Sequence, residues 1–95
     1  MKVIITHVNN MLDLMYTAGV RRNVTIGVDP SYGGHTNLWV RGNTLRGDTI
    51  GHGMYLRREM YLGNMGRTLA ILNGQVQNDA RFKDRPVLHL AHIKN

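Results

Sequence analysis

The sequence predicts an α+β fold: a small single domain over residues 1–95, with a strand-dominated antiparallel or mixed sheet and one or two short helices. Three observations point there. Short β-branched or alternating runs are separated by clusters of Gly, Asn, Asp and Pro. A clean helical stripe is confined to Val8, Met11, Leu12 and Met15. Finally, 95 residues with 42% apolar side chains suffice for one thin core and not for two.

In chain order, residues 2–8 are rich in β-branched side chains and predict a first strand. Asn10 is placed to cap the helix carrying that stripe, and Gly19 to end it. Residues 23–28 alternate as a second strand, followed by Asp29-Pro30-Ser31-Tyr32-Gly33-Gly34, a loop by composition. Residues 37–41 hold the lone tryptophan, Trp39, in a third strand that Gly42-Asn43 is expected to close.

The glycines at 47, 51 and 53 predict an irregular connection over residues 44–53. Residues 54–62 (MYLRREMYL) alternate like a strand but have helical propensity, and the two readings stay open. Asn73-Gly74 between residues 68–72 and 75–77 predicts a type I′ hairpin. A competing helix, burying Leu69, Leu72, Val76 and Ala80, would carry an interior glycine at a cost of about 1 kcal/mol. Residues 86–93 read as a last strand, apolar on both faces and therefore central or covered.

Charge sets the functional expectation. Twelve basic residues, nine of them arginine, stand against six acidic ones, for a net charge of +6 and a pI of about 10.3. Arginine presents a flat, permanently charged fork of donors suited to phosphate and carboxylate. Net charge rises along the chain, +1 over residues 1–32, +2 over 33–64 and +3 over 65–95. Arg81, Lys83 and Arg85 in an extended segment would project to one side about 6.5–7 Å apart, near the phosphate spacing of an extended single strand. Arg21-Arg22, Arg57-Arg58 and Arg67 are expected to complete that binding surface, with Arg41 and Arg46 as further cations. Tyr16, Tyr32, Trp39, Tyr55 and Tyr61 are available for base stacking, although burial is the expectation for Trp39 and Phe82.

Other chemistries find little support. There is no cysteine, which removes disulfides and thiolate-held zinc or iron–sulfur sites and fits a reducing, cytoplasmic location. No signal peptide or membrane-length apolar run is visible. His7 is expected packed or hydrogen-bonded in the first strand, and His35 and His52 in glycine-rich loops. His89 and His92 fall on opposite faces of a strand and would not share a metal, so neither a metal nor a cofactor is expected. Gly63-Asn64-Met65-Gly66-Arg67 fits the Gly-x-x-Gly turn of KH domains, but such a short pattern arises readily by chance and no apolar helix is evident after it. The Gly-x-x-x-x-Gly-Lys phosphate loop is absent, and no carboxylate or histidine pair marks an active site.

The composition therefore favours a non-enzymatic nucleic-acid-binding accessory or regulatory protein of viral or mobile-element type, directed at RNA or single strands, with no membrane partner. Two other readings compete. One is a self-assembling homo-oligomer, or an inhibitor that covers an acidic protein surface, suggested by six methionines and the doubly apolar last strand. The other is a binder of a small phosphorylated ligand, held by glycine loops with arginine.

Overall fold

A computed structural model describes residues 2–29, 35–57 and 65–82. They run helix, three strands, helix: α1 (Lys2–Thr17), β1 (Val20–Asp29), β2 (His35–Thr44), β3 (Thr49–Arg57) and α2 (Met65–Gln77). The sheet is antiparallel throughout, in the order β1-β2-β3. The α+β class holds, while several elements differ from their sequence reading.

The largest difference is at the start, where residues 2–8 belong to α1. Ile4, Val8, Met11, Leu12 and Met15 are all buried, and their spacing traces one helical stripe from the first turn to the last. A strand over residues 2–8 would have divided Val3, Ile4 and Ile5 between two faces. The β-branched residues there cost a helix only a few tenths of a kcal/mol each, at most about 0.7. Burial of Ile4 and Val8 exceeds that, at about 1.5–3 kcal/mol for each side chain. Gly19 ends the helix at φ +101°, as its position foretold, with its N–H donating to the Tyr16 carbonyl at 3.0 Å.

The second difference is α2, which replaces the hairpin expected at Asn73-Gly74. Leu69, Leu72 and Val76 are buried, as the competing helix required, and Thr68 is buried beside them, but the helix ends at Gln77 and Ala80 beyond it is exposed. Gly74 costs that helix about 1 kcal/mol, less than the burial of any one of those aliphatic side chains. Gln75 fastens α2 to α1: its Nε2 donates to the Ile5 carbonyl at 3.2 Å and to Asn9 Oδ1 at 2.7 Å. Phe82, just beyond α2, is buried as expected and meets Tyr16 edge-on at 6.2 Å.

The third difference is β3. Its glycines are alternate residues of a strand and not an irregular connection. Ile50 and Met54 pack against the core and Leu56 is buried in it, while Gly51, Gly53 and Tyr55 are exposed on the other face. A tight turn joins β2 to β3: Asp48 N–H donates to Thr44 Oγ1 at 3.0 Å, and Gly47 takes φ +104°. In consequence β2 runs through Gly42-Asn43 instead of closing there. Residues 54–57 are strand, so the strand reading of the 54–62 segment holds over that part. Residues 58–62, the 30–34 loop and the 86–93 strand lie outside the described residues.

Among the described residues, the buried apolar side chains form a single cluster on one side of the sheet. Val24, Ile26 and Val28 of β1, Leu38 and Val40 of β2 and Leu56 of β3 meet the stripes of both helices there. Gly42 lets this layer close, because a Cβ at that position would stand 2.5 Å from Val20 Cγ1 and 3.2 Å from Met15 Cε. Near its start β1 is bulged, with register shifts on both sides of Arg22. Asn23 at φ 57° absorbs the distortion, a conformation asparagine tolerates better than most residues.

Candidate functional site

With both helices on one side, the other side of the sheet carries the exposed polar and aromatic residues. The register arranges them in rows across the strands. Thr25, Arg41 and Gly51 form one row; Gly27, Trp39 and Gly53 the next; Asp29, Asn37 and Tyr55 the third. Strand geometry sets the rows about 6.8 Å apart and the neighbours within a row about 4.8 Å apart. Arg57 follows at the end of β3, beyond Tyr55.

Trp39 is the centre of this face. Glycine stands opposite it on both neighbouring strands, so no side chain rises beside the indole in its own row. Its Nε1 donates to Asp29 Oδ1 at 3.1 Å, which draws the ring across β1 and satisfies its one polar atom. Asn37 Nδ2 donates to the other carboxylate oxygen at 3.5 Å. The Arg41 guanidinium lies 4.2 Å from the indole centroid, a cation–π stack within one strand. One row away Tyr55 is 74% exposed. Arg41, Trp39, Tyr55 and Arg57 thus form a diagonal track, charged at both ends and aromatic between, with steps of about 6.8 Å along each strand and about 8 Å where it crosses from Trp39 to Tyr55. Asp29 is the carboxylate beside it.

Trp39 was expected in the core and is instead half-buried on this outer face. The reason is parity: Leu38 and Val40 point inward, so Asn37, Trp39 and Arg41 point out. His7, expected in a strand, is exposed on α1, and His52 sits half-buried within β3. Among the described residues, no group of three or more His, Cys, Asp or Glu side chains is placed to hold a metal ion. Nor is any described helix long and apolar enough to cross a membrane.

The cations singled out from sequence do not gather on one surface. Arg81 lies in the turn after α2, not in an extended segment, and its guanidinium is held by Asp79 and by Asp13 of α1. It tacks the end of α2 to α1, and two carboxylates outnumber it locally. Arg21 donates to the Tyr16 and Val20 carbonyls at 2.8 Å each and stacks on the Tyr16 ring at 3.8 Å, closing the C-terminal end of α1. Arg22 is half-buried at the bulge. Arg67 is exposed in the first turn of α2, on the helical side of the molecule. Arg46 pairs with Asp48 at 3.0 Å in the β2–β3 turn. Of the eight proposed binding residues, Arg57 belongs to the outer sheet face, and Arg22 is registered against Asn43 at the far end of that face. Arg58, Lys83 and Arg85 lie outside the described residues, and so does Gly63 of the Gly-x-x-Gly pattern, although an apolar helix does follow that pattern.

The residues that sequence reasoning underweighted are Trp39, Arg41 and Tyr55. Their signal was the odd-numbered alternation of 37, 39 and 41 and of 51, 53, 55 and 57, legible once the glycines of β3 are counted as strand residues. No protein-family model, curated protein or solved structure matches the chain, so its functional reading rests on this geometry.

Proposed function

We propose that this protein is a non-catalytic binder of single-stranded nucleic acid, RNA in particular, and that the strand lies across the outer face of the sheet. The observation that carries the reading is the setting of Trp39: an indole flanked by Gly27 and Gly53, stacked with Arg41, one row from an exposed Tyr55. Unpaired bases stack on aromatic rings and on guanidinium planes, and the gain is about 1–3 kcal/mol per base. Bases in a duplex have those faces covered, which is why the reading specifies a single strand. Row spacing of about 6.8 Å suits successive nucleotides of an extended chain, with Arg41 and Arg57 placed for its phosphates. A net charge of +6 supplies the long-range attraction.

Because Trp39 is the only tryptophan, its fluorescence reports directly on the site. Titration with unstructured RNA oligonucleotides should quench it, and the affinity should fall with salt with a log–log slope of about −0.7 for each phosphate contacted. Tyrosine-rich surfaces also bind proteins, so the decisive result is specific to nucleic acid. No quenching and no salt-dependent binding to any single strand would sink the reading.

A further inference from the structure

The track has one feature that a phosphate-binding surface does not need: a carboxylate beside it. Asp29 repels the backbone of a nucleic acid, yet it stands in the row next to Trp39 and bonds both the indole and Asn37. Resting on the single-strand reading above, we infer that the Asp29–Asn37 row reads the bases and selects guanine.

The row presents acceptors. A carboxylate offers about four lone-pair positions, and the bonds from Trp39 and Asn37 leave room for further donors. Since Asn37 directs one of its two amide N–H groups at Asp29, its Oδ1 points the other way, over β3. There it lies 3.0 Å from where a Cβ of Gly53 would be. The reverse amide orientation would set Oδ1 against the carboxylate, which disfavours it. A base stacked at Trp39 whose edge reaches the Asp29–Asn37 row therefore meets a carboxylate and an amide oxygen carried on adjacent strands.

Base chemistry then discriminates. Guanine alone carries adjacent donors on its Watson–Crick edge, N1–H beside the N2 amino group. Adenine and cytosine each place a ring-nitrogen acceptor beside their single amino group, and uracil has one N–H between two carbonyls. Against a row of acceptors these three edges meet lone pairs that guanine's donors avoid. Pairing a carboxylate with base amino groups is an established form of readout, and one good bidentate contact discriminates by about tenfold or more.

The test uses the full chain and four RNA oligonucleotides of about ten nucleotides, a length within reach of one small binding face. All are uridine except for a central pair of G, A, C or U, which avoids guanine-rich structures. The G oligonucleotide should bind about tenfold tighter than the others by Trp39 quenching. Asp29→Asn, isosteric and on an exposed residue, should erase that preference, bringing the G oligonucleotide to within about twofold of the other three. Its thermal midpoint confirms that the variant is folded. Equal affinity for all four strands, or a guanine preference unchanged in Asp29→Asn, overturns the inference and leaves the single-strand reading standing. Failure of all four to bind removes both.

Discussion

The two faces of this sheet are built from the same three strands, yet they obey different rules. On the inner face most positions are branched aliphatics, and the one glycine, Gly42, is boxed in by Val20, Met15 and Val24. On the outer face the glycines flank an aromatic ring. A Cβ at Gly51 or Gly53 would first meet the side chains of Arg41 or Asn37 and then a carbonyl of the adjoining strand. Glycine thus serves closure on one side and openness on the other. Burial drives the first face; the second leaves Tyr55 and the Trp39–Arg41 stack at the surface, and that exposure is what points to a ligand.

The comparison breaks first, and hardest, on the inner face. Leu12→Ala removes a fully buried side chain from the helical stripe and should cost about 2–5 kcal/mol, read as a lower denaturant midpoint at unchanged slope. Gly42→Thr forces atoms into occupied space and should cost about 1–3 kcal/mol. Neither touches the outer face, so the fraction that stays folded should bind RNA with unaltered affinity. A folded Gly42→Thr protein with lost binding would show that the two faces are not independent.

Trp39→Ala comes next. It should weaken single-strand binding by about 1–3 kcal/mol, measured by anisotropy of a labelled oligonucleotide because the fluorescent residue is gone. Stability should change less than in Leu12→Ala, since the indole is only half-buried. If Trp39→Ala unfolds the protein, or leaves affinity untouched, the outer face is a structural surface.

How much of this was legible in the sequence depends on which force decided each element. Where local and tertiary preferences agreed, the reading held: β1 and the centre of β2 alternate cleanly, and Gly19 stops α1. Where they conflicted, tertiary burial won. Ile4 and Val8 favour a strand locally, yet they extend a stripe that only a helix can bury whole. Asn73-Gly74 is a strong turn signal, yet Leu69, Leu72 and Val76 gain more inside a helix than the glycine costs. The site was hidden for a third reason. Charge counts locate arginines along the chain but say nothing of their partners, and Arg81 has Asp13, distant in sequence, as one of its own.

That distinction gives a third prediction, with paired variants. Arg81→Gln leaves Asp79, whose side chain is only 10% exposed, without its cation and should cost about 1–2 kcal/mol of stability. Its effect on RNA affinity should be negligible. Arg57→Gln should do the opposite: stability within about 0.5 kcal/mol of the parent, and a salt slope shallower by about 0.7. Should Arg81→Gln reduce the salt slope instead, the phosphate track runs over the helical side and the sheet face is not its seat.

The smallest change sharpens the comparison most. Gly53→Thr makes on the outer face the same exchange as Gly42→Thr on the inner one. Here the new Cβ would meet Asn37 Oδ1 at 3.0 Å, the mobile end of a side chain, and the Leu38 carbonyl at 3.4 Å, an ordinary contact. Threonine also favours a strand over glycine, within a scale that spans about 1 kcal/mol. Thermal stability should therefore hold or rise slightly. Binding should nonetheless fall several-fold, because a branched side chain now stands beside the indole where a base would lie. A variant that folds better and binds worse has no explanation in packing alone. It would identify Gly53 as a residue kept small for what rests upon it. If Gly53→Thr binds RNA as well as the parent does, the space beside Trp39 is not where the bases go.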